Sequence, residues 1–445
     1  MMMKRTRKGF HQQKVSSLPW THRFLGSCGS GSGSGVCTVW LTAVLLLSLF
    51  PLAQTQSSTR RNSAVKHKHN HHNEHDNDKT FIPTFEINLD LPPEDRWTHV
   101  IQHFQEPLLK IRDWVVAKHF SGAAGQRLIQ MATLVVEHVF PRDPDIRREL
   151  SGVARALNHT STGLILLLNL YYDLQAACTS IVATTPANGA VWHGRNLDFD
   201  IPNLQAITLN VNFTKDNGEL LYQGTTYAAY IGVPTGMKPG VFSISQDART
   251  PGDSPWDNLA EWIFKGGRAY SLLYREILER AETYEKALQM MQETPLISPS
   301  YFIIAGAKAG QGAVVSRARD STVDVWRLDN VTNNTSNPRW FLVQTNDDHW
   351  QPPDDDRRDA ANHNMELYCG GSANVTARCM KEVMNQRPTL NQLTTYTTVM
   401  SAGANHFESQ KQNVQQRPPP REKELNGALP WRIVEQQYHY GRSKE

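Results

Sequence analysis

The hydrophobic period of this chain switches at a single place, and that switch limits what it can fold into. Across residues 92–177 the apolar positions recur at helical spacing. They are Trp97, Val100, Ile101 and Phe104, then Leu108, Ile111 and Val115, then Leu134, Val135, Val139 and Phe140. Residues 162–176 are strongly apolar and read as a buried helix. At Cys178 the pattern turns abruptly to strand. Cys178-Thr179-Ser180-Ile181-Val182-Ala183 leads to Asn188-Gly189 and returns as Ala190-Val191-Trp192-His193-Gly194-Arg195-Asn196. Asn-Gly between two β-rich runs signals a hairpin, because the tight turn needs positive φ at both central residues. A second such turn, Asn217-Gly218, joins residues 207–213 to 220–222. Helices are expected around residues 259–264 and 272–291, then strands at 301–305, 313–317, 323–328 and 341–345. Helices, hairpins, helices and further hairpins predict an α+β layered fold with largely antiparallel sheets.

With 445 residues the chain is long enough for one large domain or two ordinary ones. Its 39% hydrophobic and 20% charged content predicts a soluble globular core. The formal net charge of +3 is small and its excess sits near the N-terminus, so no nucleic-acid partner is expected. Lys4, Arg5, Arg7 and Lys8 precede a Gly/Ser run and an apolar segment at residues 39–50, followed by Pro51 and Ala53. Such a segment fits a signal peptide cleaved near Ala53, with a signal anchor as the other reading. Residues 1–53 are thus a leader, and 54–80 a polar His-rich linker containing His67, His69, His71 and His72. A solvated spacer is favoured there over a metal site, so neither metal nor cofactor is expected. Folding is expected to begin near Phe81, and residues 410–445 form a polar tail with Pro418-Pro419-Pro420.

Sequons at Asn158, Asn212, Asn330, Asn333, Asn334 and Asn374 favour the secretory route, with the adjacent Asn333 and Asn334 not both typical sites. Removal of the leader takes Cys28 and Cys37, leaving Cys369 and Cys379 free to pair and Cys178 odd. A lone cysteine is more often a small buried hydrophobe than a nucleophile. Its company argues otherwise. Arg195 and Asp198 lie across the Asn188-Gly189 hairpin, able to fold back beside it. A guanidinium favours the thiolate, and a carboxylate accepts a proton or orients an ammonium. The ordinary alternative for each charge is a surface ion pair.

Residues 178–183, followed by His193-Gly194-Arg195-Asn196-Leu197-Asp198, resemble the acid amidase and acid ceramidase family. That family stands with the choloylglycine hydrolases and penicillin V acylases among N-terminal-nucleophile hydrolases. The resemblance runs from about Phe85 to Gly403. It includes Gln344-Thr345-Asn346-Asp347-Asp348-His349-Trp350, Asp355-Asp356-Arg357-Arg358 and the run from Tyr396 to Gly403. It implies an αββα sandwich whose precursor cuts itself between Ala177 and Cys178. The products would be a helical α-chain (81–177) and a catalytic β-chain (178–409) that stay together as a heterodimer. The implied roles make Cys178 the nucleophile and its freed α-amine the acid/base. Arg195 and Asp198 would tune that pair, Asn346 would donate to the oxyanion, and Arg357 would support the site electrostatically.

Two positions depart from the family pattern. Ala248, in Ser245-Gln246-Asp247-Ala248-Arg249, stands where the family carries Glu, with Asp247 as its possible substitute. Asp348 stands where a Tyr is more usual. The run from Tyr396 to Gly403 and the form of the Asn346 motif favour the amidase branch, while residues 235–243 lean towards ceramidase. The expected reaction is hydrolysis of fatty-acid ethanolamides, such as palmitoylethanolamide, at acidic pH in the lysosome or after secretion; the alternative is ceramide hydrolysis. Such substrates dissolve in membranes. Peripheral contact with membranes is expected, and the helices carrying Trp97, Val100 and Ile101, and Trp114, Val115 and Val116, are candidates for it, although core packing is the favoured reading for either one.

Overall fold

A computed structural model describes residues 80–138, 143–175, 177–184, 189–249, 267–328, 339–370 and 375–412. All belong to one compact unit, residues 72–445. The leader, the His-rich linker, the 259–264 helix, the tail beyond residue 412 and the sequons at Asn330, Asn333, Asn334 and Asn374 lie outside the described residues.

The first described element is not a helix. Strand β1 (Thr84–Asn88) precedes helices α1 (Thr98–His103), α2 (Gln105–His119), α3 (Gly122–His138), α4 (Pro144–Ala156) and α5 (Thr162–Gln175). β1 corrects the expectation of a wholly helical segment over 81–177. It is five residues long and follows Pro83, too short to register as a periodic run. Strand then replaces helix where the period changes: β2 (Ala177–Thr184) and β3 (Val191–Asp198) pair antiparallel, with Gly189 at φ +67 in the turn. β4 (Thr208–Thr214) and β5 (Leu220–Tyr227) form the second expected hairpin, with Gly218 at φ +78.

Strands β6 (Thr235–Lys238) and β7 (Phe242–Ala248) lead to helices α6 (Tyr270–Arg280) and α7 (Tyr284–Glu293). The expected single helix over 272–291 is broken between them. The Thr283 hydroxyl accepts the Lys286 N–H at 3.1 Å and so starts α7 afresh as its N-cap. Strands β8 (Ser300–Gly306), β9 (Gly312–Arg317), β10 (Thr322–Arg327) and β11 (Phe341–Gln344) follow. Helices α8 (Arg357–Cys369) and α9 (Ala377–Met384), then β12 (Thr394–Ser401) and β13 (His406–Lys411), complete the described chain. β13 runs past residue 409, so the boundary expected there falls inside a strand.

Eight strands make one sheet in the order β1-β4-β5-β6-β7-β8-β9-β10, and five make the other, β11-β2-β3-β12-β13. All pairings are antiparallel except β1 with β4. Alternation along β2 sends neighbouring residues into different cores. Val182 packs with Tyr301, Ile303 and Val314 between the sheets, whereas Ile181 packs with Met380, Val383 and Met384 under α9. Gly194 lets α9 come this close: a Cβ there would stand 2.8 Å from the Met380 sulfur. On the far side of the eight-stranded sheet, Phe302 and Ile304 share a core with Leu273, Ile277 and Leu288 of α6 and α7. The layers are α8–α9, sheet, sheet, α6–α7, which is the αββα sandwich. A disulfide joins Cys369 and Cys379 at the ends of α8 and α9, Cα atoms 5.4 Å apart.

Helices α1 to α5 join the same core as α6. Trp97, Val100 and Ile101 are fully buried there, so the favoured core-packing reading holds and they are not a lipid-facing stripe. Trp97 packs edge-on against Phe213 and its indole N–H donates to Glu149 at 2.8 Å, so the ring is committed inward. Val115 is buried too; Trp114 and Val116 are half-buried, and Lys118 sits over the Trp114 ring at 4.4 Å. No helix among the described residues is long and apolar enough to cross a membrane. Glu149 of α4 is buried between two guanidinium groups. It accepts from Arg96 at 2.8 Å and from both terminal nitrogens of Arg275 on α6.

Candidate active site

The hairpin register settles which residues face Cys178. In β2 and β3 Cys178 lies opposite Leu197, Ser180 opposite Arg195 and Val182 opposite His193. Directly opposed residues of an antiparallel pair share a face. Cys178, Ser180, His193 and Arg195 therefore all point towards the eight-stranded sheet, and they meet β7 there.

Cys178 is fully buried, and burial pushes its thiol up to about 12; Arg195 and Arg357 oppose that rise, while Asp247 and Asp198 add to it. The thiol is thus held protonated, and any use of it as a nucleophile needs a group to take its proton. Arg195 donates through Nη1 to Asp247, to the Gln246 carbonyl and, at 3.3 Å, to Ser180 Oγ. Its ion pair with Asp247 has no exposed side-chain surface. Asp198, expected beside Cys178, lies opposite Ala177 in the register and is held by other donors. The Thr394 hydroxyl and the Asn391 amide each donate to it at 2.7 Å, and Arg357 stands 3.6 Å away. Burial raises the Asp198 carboxyl above the ordinary range, though Arg357 and both hydrogen bonds work the other way.

Arg357 opens α8 and reaches back to the cysteine. Its Nη1 donates to the Cys178 carbonyl at 2.7 Å and its Nη2 to Asn346 Oδ1 at 2.9 Å, with Nε on Asp355. Asn346 Oδ1 also accepts the Cys178 backbone N–H at 3.0 Å, and Nδ2 donates to the Ala248 carbonyl at 2.9 Å. Two donors on one side of the amide and a carbonyl on the other fix its orientation. The Asn346 donor is therefore engaged by Ala248, not pointed at an open oxyanion position.

Ala248 has no titratable group, and alternation along β7 turns its side chain away from the Cys178 layer. Asp247 faces that layer. Asp348 forms a two-pronged pair with Arg249, at 2.7 and 2.9 Å, and accepts the Tyr301 hydroxyl at 2.7 Å. The sequence reading named Asp247 but did not place it, and it missed Ser180, Ser245, Thr394 and Asn391. A partial signal was available for the β7 group: Ser243, Ser245 and Asp247 recur at the period of a strand whose intervening positions include apolar Phe242 and Ile244, with polar Gln246 interrupting the alternation. Ala177, the residue on the other side of the expected break, pairs with Asp198 at the head of β2. Asn158 is exposed in the turn after α4, and Asn212 is half-buried within β4. No group of three or more His, Cys, Asp or Glu side chains able to hold a metal occurs among the described residues.

A buried cysteine heading a strand of an αββα sandwich, held at N–H and carbonyl by an asparagine and an arginine, defines an amidohydrolase of the N-terminal-nucleophile class. Two family models match the chain. Residues 80–139 match the beta subunit of N-acylethanolamine-hydrolyzing acid amidase, and residues 178–376 match linear amide C–N hydrolases of the choloylglycine hydrolase family. The N-acylethanolamine-hydrolyzing acid amidase of Caenorhabditis elegans is 38% identical over 72% of this chain and 89% of its own length. That of Oryctolagus cuniculus is 36% identical over 72% and 87%. The acid ceramidase of Homo sapiens is 32% identical over 74% and 85%. A solved structure of the Caenorhabditis elegans amidase ortholog is 39% identical, with a TM-score of 0.47 over 53% of this chain and all of that one. The chain belongs to the acid amidase and acid ceramidase family, and it is an amidase.

Proposed function

We propose that this chain cuts itself between Ala177 and Cys178 and then hydrolyses fatty-acid ethanolamides to fatty acid and ethanolamine. The observation that carries this reading is the grip on Cys178: its N–H held by Asn346 and its carbonyl by Arg357 at the head of β2. Support for the cut comes from the two matched segments, one ending at residue 139 and the other beginning at Cys178. The helical α-chain and the β-chain would remain a heterodimer. Support for the substrate comes from relatives named as N-acylethanolamine-hydrolyzing amidases at 36–38% identity.

The chemistry needs a base next to the thiol. A free α-amine has a pKa of roughly 7.7–8, far below that of a lysine, so the new N-terminus serves. It takes the Cys178 proton as sulfur attacks the substrate carbonyl, and returns it to the departing ethanolamine nitrogen. Arg357 and Asn346 keep nucleophile and amine in place, and the Asn346 Nδ2 donor, freed from Ala248, stabilises the tetrahedral oxyanion. Arg195 and Asp198 set the charge around the pair. Water then releases the fatty acid from the thioester.

Peripheral contact with membranes or detergent micelles would bring the lipid amide to the site. With Trp97 buried, half-buried Trp114 and Val116 and exposed Phe81, Leu91 and Leu134 are apolar candidates before Cys178. The leader and sequons direct the chain into the secretory pathway, to the lysosome or outside the cell. The test is direct: acidify the purified chain, map the fragment ends, and assay palmitoylethanolamide and ceramide side by side. Cys178→Ala should neither divide nor hydrolyse. Ceramide turnover above that of the ethanolamide would move the chain to the ceramidase branch, and hydrolysis by Cys178→Ala would sink the mechanism.

A further inference from the structure

Between the two sheets a row of polar side chains leads to one carboxyl oxygen that has no partner. Asp247 is fully buried; its Oδ1 accepts from Ser180 Oγ at 2.8 Å and from Arg195. Its Oδ2, also buried, has no hydrogen-bond partner among the described residues. The donors behind it have a forced direction. Oδ1 only accepts, so the Ser180 proton points at it. Ser180 Oγ must then accept from Ser245 Oγ, 2.9 Å away. Ser245 in turn accepts from His193 Nε2 at 2.9 Å, and His193 Nδ1 accepts from Ser243 Oγ at 3.1 Å. That ring stays neutral, because burial and Arg195 lower its pKa to about 3. Every proton in the row is committed, and Asp247 Oδ2 is the position left to bind or release one.

Cys178 lies on the same face of β2, two residues before Ser180, and the Asp247 charge is felt at its thiol. The next residue of β7, Ala248, brings no titratable group to the site.

We propose that Asp247 is the proton shuttle of the self-cleavage step. The inference rests on the self-cutting reading given above and names the group that makes it possible. Protonated on Oδ2, Asp247 gives its proton to the Cys178 nitrogen as the Ala177 carbonyl carbon–nitrogen bond breaks. As sulfur bonds to that carbon, the thiol proton passes to the same carboxyl. The products are a thioester and a free amine, with Asp247 unchanged. Water then hydrolyses the thioester to the Ala177 carboxylic acid and the Cys178 thiol. Burial lifts the Asp247 carboxyl to about 6, against Arg195 and Ser180, so acidification loads it. The groups facing it are Cys178 and Ser180 from β2, His193 and Arg195 from β3, and Tyr274 from α6, with Asp198 and Arg357 at longer range.

The experiment follows the two fragments on a denaturing gel after uncut chain is stepped down in pH. Wild-type cutting is expected to accelerate as pH falls through about 6. Asp247→Asn is expected to slow it by about 100-fold or more and to remove that acceleration. Asp247→Glu keeps the shuttle and should keep the acceleration with a displaced midpoint. Melting of Cys178→Ala with and without Asp247→Asn reports whether the fold survives the change. Asp247→Asn cutting at the wild-type rate with the wild-type pH profile overturns the proposal. Should that variant not fold, an unshifted profile for Asp247→Glu overturns it instead. A wild-type chain that never divides before Cys178 would refute the self-cutting reading itself, a separable outcome.

Discussion

Replacing Glu149 with alanine tests how the helical half is held to the rest. Glu149 is 1% exposed and is the shared acceptor for Arg96, Trp97 and Arg275. Without it, two guanidinium groups with side chains only 9% and 5% exposed lose their buried counter-charge, and Arg96 keeps only the largely exposed Asp145 at 3.6 Å. Breaking a buried pair from one side costs about 3–5 kcal/mol, more than the intact pair contributes, because the remaining charge stays desolvated. With an unfolding entropy of about 2.1 cal/mol/K per residue, a loss of that size lowers Tm by roughly 4–7 °C in a domain this large. The measurement is calorimetry on Cys178→Ala, which stays one polypeptide, with and without Glu149→Ala. Glu149→Gln keeps the shape and part of the hydrogen bonding, so it should fall between the two. A shift of less than about 1 °C for Glu149→Ala, or equal damage from both replacements, would show that the arginines find other partners or water.

Other outcomes follow from the same geometry. The Asp247 carboxyl is raised from 3.8 to about 6, so its contribution to the stability of uncut Cys178→Ala chain is full below about pH 4 and lost as pH rises through about 6. The loss is on the order of 3 kcal/mol, and a melting series in Asp247→Asn should lack it; the same slope in both chains would refute the assignment. Glu149 behaves oppositely: its carboxyl is held below the ordinary range, since Arg275, Arg96 and Trp97 outweigh its burial, so its stabilisation is lost on strong acidification. Asn346→Ala should lower kcat of matured enzyme by about 100- to 1,000-fold with little change in KM, and a change confined to KM would refute an oxyanion role. Arg357→Ala removes the donor to the Cys178 carbonyl and should slow both self-cutting and turnover; fragment mapping and steady-state assay read the two effects separately. Asp348→Ala leaves Arg249 without its two-pronged partner and should cost about 1–3 kcal/mol in thermal unfolding, which Asp348→Asn partly recovers.

The helix-to-strand switch was legible because it changes a period, and both hairpins because Gly189 and Gly218 supply the positive φ their connections use, although Asn217 does not share it. Periodicity was silent where elements are short and depend on distant partners. β1 acquires its form only from β4, more than 120 residues later, through pairs such as Ile87 with Phe213. α8 begins with Arg357 and Arg358, charges that look like surface until both are buried against the site. Within the site, the hairpin register, a local property, carries Arg195 to the Cys178 face, while Asp198 falls opposite Ala177. That Arg195 pairs with Asp247 instead depends on the packing of two sheets, which no local spacing encodes. Trp97 could be read either way for the same reason: an amphipathic stripe does not say what covers it, and here the core does.

The parallel pairing of β1 with β4 has a consequence for the life of the matured molecule. β1 belongs to the segment before Cys178, yet it completes a sheet built otherwise from the segment after it. It acts as a donated strand. Pulling the two pieces apart would leave β4 as a bare edge with unsatisfied N–H and C=O groups, a template for pairing with other chains. Neither piece should therefore survive as a soluble half when produced alone, and once separated the pair should aggregate before it can reassemble. The proposed cut would free a nucleophile without freeing a subunit.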